Sequence, residues 1–516
     1  MIARIIVSLG ILILYAGNSI ASDFPRASIE TGDTDALASL IENGADVNGT
    51  DVDGATALHW AVYEDQLEAA QLLLAAGADP TITSRYGVAP LYLAAVNGNL
   101  AMIESLLNAG ADADAFGPNG ETMLMTAART GVPGPLNALL QAGADIDVTD
   151  LNFGQTALML AVREQNRGAV ELLLDRGANV NVRTAVGTPP DFTLPCKGTG
   201  CGSEGVGINR GGLPDRGRRD AAQGGMTALL YAARDGLTEI SALLIAAGAD
   251  PELAEANDIR PLLMSLLNGN IEVARLLVDA GAEVNADDFW GRTPLFAAVE
   301  YRNLDMNNAD QDDPVDNGIN RAPHFRFIEY LLEHGADANL QTREVPPSRR
   351  WLYSLNDVSW VDFTGQTPFL RAALSGDTSV MRLLVEHGAD PNLPTNAGTT
   401  PLMAAAGVNW VVAQTYTESP AALLEAVELC LQLGNDINAT NSMGLSALLG
   451  AVNRGSNEII RFLAERGADL DVVDVEGRSA IRWAEGVFLA AVGAERKPAT
   501  IALLEELMAA EAANNE

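Results

Sequence analysis

The chain is short of basic residues, aromatics, histidine and cysteine. Its 516 residues carry 32 Lys+Arg against 68 Asp+Glu, a formal net charge of −36. Nonspecific nucleic-acid binding needs a basic footprint, and so does an anionic membrane surface; neither is expected as a partner. Aromatics make up 5% of the residues although hydrophobic residues make up 48%. That combination fits closely packed Ala/Leu helices and does not fit a disordered chain. There are four histidines, and no G-x-S-x-G, Walker loop, C-x-x-C or H-E-x-x-H pattern accompanies them. The chain is therefore not expected to be an enzyme, and no cofactor or metal is expected.

The three cysteines are Cys196, Cys201 and Cys430. An oxidising compartment permits a Cys196–Cys201 bond closing the loop CKGTGC; two free thiols are the other reading, and the spacing is not that of a redox or metal pair. Cys430 sits in the helical run Ala421–Leu433 and reads as a small core residue. Only the N-terminus offers a continuous apolar run. Arg4 precedes Ile5–Tyr15, which is too short to span a bilayer, and Ser19-Ile20-Ala21 follows with small residues at −3 and −1. Residues 1–21 read as a cleavable secretory signal cut after Ala21, giving a periplasmic or secreted protein with no membrane insertion after cleavage.

What the chain has in abundance is a repeat. The stretch Gly54–Asp79 reads as a glycine-led turn, a short helix opening at Thr56, a reversal near Glu64–Gln66, a second helix and a glycine stop at Gly77. The leading glycine recurs at Gly87, Gly120, Gly154, Gly225, Gly291, Gly365, Gly398, Gly444 and Gly477, mostly 33 or 34 residues apart. Each threonine serves as a helix cap, each closing glycine takes the left-handed conformation, and Leu/Ala at i, i+3 and i+4 bury against adjacent helices.

Period, closing Gly-Ala-Asp, and the boxes Thr56-Ala57-Leu58-His59, Thr293-Pro294-Leu295-Phe296, Thr367-Pro368-Phe369-Leu370 and Thr400-Pro401-Leu402-Met403 together resemble the ankyrin family. The match runs from about Ala27 to Ala510. It implies an all-α repeat solenoid of helix-turn-helix units with β-turn fingers, curved into a superhelical array interrupted by several insertions. The resemblance extends to the long exported ankyrin proteins of Gram-negative bacteria, and implies a bacterial protein that binds another protein.

The expected order is a capping unit over 22–53, repeats over 54–184, and a Gly/Pro-rich insertion over 185–224 within a finger. Repeats resume over 225–341, where Ile259-Arg260-Pro261-Leu262 is a degenerate box after Asp258 and an acidic insertion occupies 303–323. An insertion rich in aromatics and arginine, 342–364, precedes repeats over 365–476, themselves interrupted at 409–419. Residues 477–516 form the C-terminal cap and tail, for ten full units and two caps. The Gly/Pro-rich segment reads either as a linker or as a functional loop. The acidic one, with Asp305, Asp310, Asp312, Asp313 and Asp316, fails the EF-hand spacing and reads as a solvated loop.

The resemblance places the eighth and eleventh box positions of each first helix toward the concave groove. Three consecutive units put arginine at the eleventh: Arg129, Arg163 and Arg234. The intervening finger adds Arg216, Arg218 and Arg219. This is the expected site for an acidic patch on a partner protein, since arginine binds carboxylate and phosphate with fork geometry. Trp60, Tyr63, Tyr231, Trp351 and Trp410 are the candidate aromatic anchors. Pairing of the arginines with acids such as Glu164 and Asp235 is the competing structural reading. A receptor for a small anionic ligand near Arg163 and Arg234 is the alternative function. A monomer is expected.

Overall fold

In a computed structural model the described residues are 26–187, 223–303, 321–344, 364–409, 419–487 and 495–515. They form 24 helices and no strand beyond isolated bridges. The chain divides into two compact units, residues 1–182 and 183–516. Among the described residues no helix is long and apolar enough to cross a membrane.

The first unit holds five helix pairs: α1 (Arg26–Thr31) with α2 (Thr34–Glu42), α3 (Ala57–Tyr63) with α4 (Leu67–Ala75), α5 (Pro90–Asn97) with α6 (Leu100–Asn108), α7 (Met123–Thr130) with α8 (Pro133–Gln141), and α9 (Ala157–Arg163) with α10 (Arg167–Asp175). The capping unit thus contains a short first helix ahead of the second helix and stop read from its sequence. First helices pack on first helices and second on second. The repeat register explains why. Leu58, Leu91, Leu124 and Leu158 fall at one place in the inner layer, and Leu73, Leu106, Leu139 and Leu173 at one place in the outer layer, all essentially inaccessible. Full burial of such a side chain contributes about 1.5–3 kcal/mol, and each leucine is covered only because the neighbouring copy is there.

The second unit repeats the arrangement with seven pairs: α11 (Ala228–Asp235) and α12 (Thr238–Ala246), α13 (Pro261–Leu267) and α14 (Ile271–Asp279), α15 (Pro294–Arg302) and α16 (Arg321–Glu333), α17 (Pro368–Ser375) and α18 (Thr378–Glu386), α19 (Pro401–Ala406) and α20 (Pro420–Gln432), α21 (Ala447–Arg454) and α22 (Asn457–Ala464), and α23 (Ala480–Ala484) and α24 (Pro498–Asn515). Its outer layer buries Leu244, Leu277, Leu331, Leu384 and Leu463 four residues before the stop glycines, and Cys430 takes that place in one copy. Burial pushes its thiol far above the ordinary range, so it behaves as a small apolar residue.

Box threonines cap the inner helices. Thr122, Thr156, Thr227, Thr293, Thr367 and Thr400 each accept a hydrogen bond from the backbone N–H three residues on. At the degenerate box the finger needs a left-handed residue, and Asp258 supplies it at φ 63° where the other copies use glycine. The insertions leave from two kinds of place. Thr342 pairs with Gly365 and Gln366, and Thr184 with Gly225 and Met226, so residues 345–363 and 188–222 both interrupt fingers. Residues 304–320 and 410–418 instead separate the helices of a pair. α16 begins at Arg321, which moves Arg321–Pro323 out of the expected acidic insertion; proline is tolerated there because a first turn has no N–H partner to lose.

Candidate functional site

Several fingers are tight hairpins built on their first polar residue. In the first unit Asp51 accepts the N–H groups of Asp53 and Ala55, and Asp150 those of Asn152, Phe153 and Gln155. The Asp51 carboxylate also accepts the Trp60 indole N–H nine residues on. Asp474 receives Trp483 in the same way in the second unit. These carboxylates are spent inside the hairpins, so the tips point outward.

The first tip bonds to the second, and the third to the fourth. The Arg85 N–H donates to the Asp53 carbonyl at 2.7 Å and the Arg85 guanidinium reaches the Val52 carbonyl. The Leu151 N–H donates to the Gly120 carbonyl at 3.0 Å, and the Asn152 amide to the Asn119 carbonyl at 2.7 Å. Gly120 permits this approach, because a Cβ there would meet the Leu151 Cβ at 3.2 Å. On these tips stand Val52, Tyr86, Leu151 and Phe153, with 77, 65, 70 and 65% of their surface exposed. Single exposed apolar residues are ordinary; four on the first, second and fourth tips of one unit form a surface that points to interaction.

The arginines expected in a groove are engaged close to home. Arg129 lies 2.9 Å from Glu121 and 4.0 Å from Glu164. Arg163 donates to the Gln155 amide oxygen at 3.0 Å. In both, a residue just before the box threonine meets the arginine eight positions later, across one turn of finger and two of helix. Met226 occupies that place before Arg234, which turns instead to Asp235 with two hydrogen bonds of 2.7 and 2.8 Å. Of the pairings weighed from sequence, Asp235 holds Arg234, whereas Glu164 is the more distant of two acids near Arg129 and Arg163 meets an amide. Arg129 and Arg163 belong to the first unit and Arg234 to the second.

The aromatic candidates divide. Trp60 is half-buried, carries the Arg26 guanidinium 3.8 Å above its ring and packs edge-on against Tyr63, which is partly exposed. Tyr231 is buried, so it offers a partner little surface. Trp351, Trp410, Arg216, Arg218, Arg219, Cys196, Cys201, the five aspartates of the acidic insertion and the expected cleavage after Ala21 lie outside the described residues. Among the described residues no group of His, Cys, Asp or Glu could hold a metal ion.

The second unit contains a polar cluster that sequence reasoning missed. Arg302, at the end of α15, donates to Asp377 at 2.7 Å with both side chains buried. Arg321 donates to the Asn303 side-chain oxygen at 2.7 Å and lies 3.6 Å from Asp377. Arg371 donates to the Asn303 carbonyl at 3.0 Å and to the Ser375 hydroxyl at 2.9 Å. His324 stacks on Tyr301, ring centroids 5.1 Å apart. Burial, then the charges of Arg302 and Arg321, bring the His324 pKa down to about 4. Asp377 also caps α18 by accepting the Val380 N–H. The cluster ties two consecutive repeats together. Residues 302 and 377 are 75 apart in the chain, with the insertions 303–323 and 342–364 between them, and no local signal links them.

His59 links two repeats by hydrogen bonds. Its Nδ1 accepts the Thr56 N–H at 3.1 Å while Nε2 meets the Val88 carbonyl at 2.9 Å, stitching one box to the next finger. Burial is the main cause of its lowered pKa, against the Val88 carbonyl.

Stacked helix pairs with hairpin fingers define an all-α repeat solenoid. Family models agree: one for ankyrin repeats in three copies matches residues 91–184, 229–309 and 328–413, and one for ankyrin repeats in many copies matches 25–74 and 58–106. The chain belongs to the ankyrin-repeat family. It is similar to the mouse B-cell lymphoma 3 protein homolog, 35% identical over 115 residues, which are 22% of this chain and 24% of that protein. It is also similar to mouse ankyrin repeat domain-containing protein 63, 29% identical over 174 residues, 34% of this chain and 33% of that one. The Xenopus tropicalis neurogenic locus notch homolog protein 1 is 33% identical over 206 residues, 40% of this chain and 7% of that one. The match therefore spans a third or less of each relative. The crystal structure of the Bcl-3 ankyrin repeat domain matches with a TM-score of 0.37 and 24% identity, covering 48% of this chain and 94% of that one.

Proposed function

We propose that this chain is an exported scaffold that binds a partner protein along the finger edge of its first unit. Ankyrin repeats generally serve protein–protein interaction, and the observation that carries the reading here is the exposure of Val52, Tyr86, Leu151 and Phe153 on hydrogen-bonded finger tips. Large apolar side chains held on a fixed frame lose little entropy on docking, which is what interface anchors require. An acidic partner at Arg129 or Arg234 is less favoured. Each of these exposed arginines already holds a carboxylate, and exchanging one such pair for another gains about 0–1 kcal/mol.

Export rests on Arg4, the apolar run Ile5–Tyr15 and the small residues before Ala21. The mature protein should begin at Ser22 by mass spectrometry, and a retained Met1 or Ile2 would contradict export by this route. The binding surface is tested by affinity capture from an extract of the producing cells. A Tyr86→Ser/Phe153→Ser bait should lose the proteins held by the wild type, and an Arg129→Glu/Arg163→Glu/Arg234→Glu bait should keep them. The opposite pattern would move the surface to the arginines.

A further inference from the structure

We infer that the finger edge of the first unit takes a cationic segment of its partner, one that carries apolar residues along one side. This deepens the binding reading above and rests on it.

Residues 26–182 hold 21 Asp+Glu and six arginines, with no lysine, a net charge of −15. Three of those arginines are held in ion pairs. Arg26 pairs with Glu30, Arg129 with Glu121, and Arg167 with Glu171, while Arg85 reaches across to the neighbouring tip. The carboxylates are placed differently. Asp46, Asp79, Asp112 and Asp145 are spaced 33 residues apart, and each accepts an N–H two residues on, at the base of its finger. At Asp79 the Thr81 hydroxyl and N–H hold the carboxyl below its usual range.

Each exposed apolar tip therefore follows, within six to eight residues of chain, a carboxylate at the base of the same finger. An apolar segment without charge would gain the tip contacts alone. An acidic one would meet like charge at every repeat, a penalty that accumulates from finger to finger. A segment with lysine or arginine flanking its apolar residues satisfies both features. It would also be steered to the edge at a rate that falls with ionic strength.

The test is selection of a random 16-residue peptide library displayed on phage against the full-length mature chain, with chosen peptides then measured by fluorescence anisotropy. The expected result is enrichment of sequences with net positive charge and apolar residues. Their binding should weaken about tenfold or more between about 50 and 500 mM salt, and by about tenfold or more in the Tyr86→Ser/Phe153→Ser variant. Both replaced side chains are exposed, so an unchanged circular dichroism spectrum shows the variant folded. Enriched peptides that need Tyr86 and Phe153 but are neutral or acidic overturn the cationic inference and leave the edge as the binding surface. Peptides that bind the variant as well as the wild type, or no enrichment at all, overturn both.

Discussion

Asp377→Ala is expected to destabilise the second unit by about 3–5 kcal/mol, the cost of removing one partner from a buried ion pair. Asp377 is inaccessible and receives the Arg302 guanidinium at 2.7 Å, with Arg321 at 3.6 Å and the Val380 N–H completing its contacts. Alanine would leave the buried guanidinium of Arg302 without this carboxylate and α18 without its side-chain cap. The lost cap alone is worth about 1 kcal/mol; the stranded charge supplies the rest. The Arg302→Met/Asp377→Leu double variant should cost clearly less than Asp377→Ala, since it removes both charges while keeping volume. Urea denaturation followed by tryptophan fluorescence measures both. An Asp377→Ala loss under about 1 kcal/mol would mean the pair is not buried as described.

Acid should weaken the same unit through His324. Its folded pKa is about 4, depressed by burial and by Arg302 and Arg321, against an ordinary value of 6.5. Below pH 6.5 the unfolded chain takes up a proton that the folded chain refuses, so stability falls as pH falls, and the fall ends near pH 4 where both states are protonated. At 1.36 kcal/mol per unit of pKa the full span is about 3 kcal/mol, and about 2 kcal/mol is lost by pH 5. Carboxylates titrate in the same range, so the informative quantity is the difference between wild type and His324→Phe. Phenylalanine keeps a ring against Tyr301 and should remove that part of the pH dependence between 6.5 and 4. Equal slopes for the two proteins would refute the assignment.

The array was legible because its rules are local and repeated. A glycine turn, a capping threonine, leucines at helical spacing and a glycine stop recur within a window of 33 or 34 residues, and each has one physical job. The arginines were half legible. The pairs Glu121–Arg129 and Gln155–Arg163 share an eight-residue spacing, and looking for a polar residue just before each box threonine would have found both. The Asp51–Trp60 and Asp474–Trp483 bonds share a nine-residue spacing that could have been found in the same way. The cluster of Arg302, Arg321, Arg371 and Asp377 was not legible. Those residues meet because neighbouring repeats stack, and the insertions between them break the register that would otherwise have aligned their positions. The finger edge was missed for a different reason. Val52, Tyr86, Leu151 and Phe153 sit in turns, where helical patterning says nothing about exposure.

The edge claim is tested most directly by placing a photocrosslinking amino acid at Phe153, and separately at Leu72, in the chain within its producing cells. Leu72 lies on α4 in the outer helical layer and is 37% exposed, so it controls for accessible apolar surface away from the fingers. The account predicts a discrete crosslinked protein from position 153 and none from position 72. Crosslinking from 72 alone would place the partner on the outer helices and contradict it.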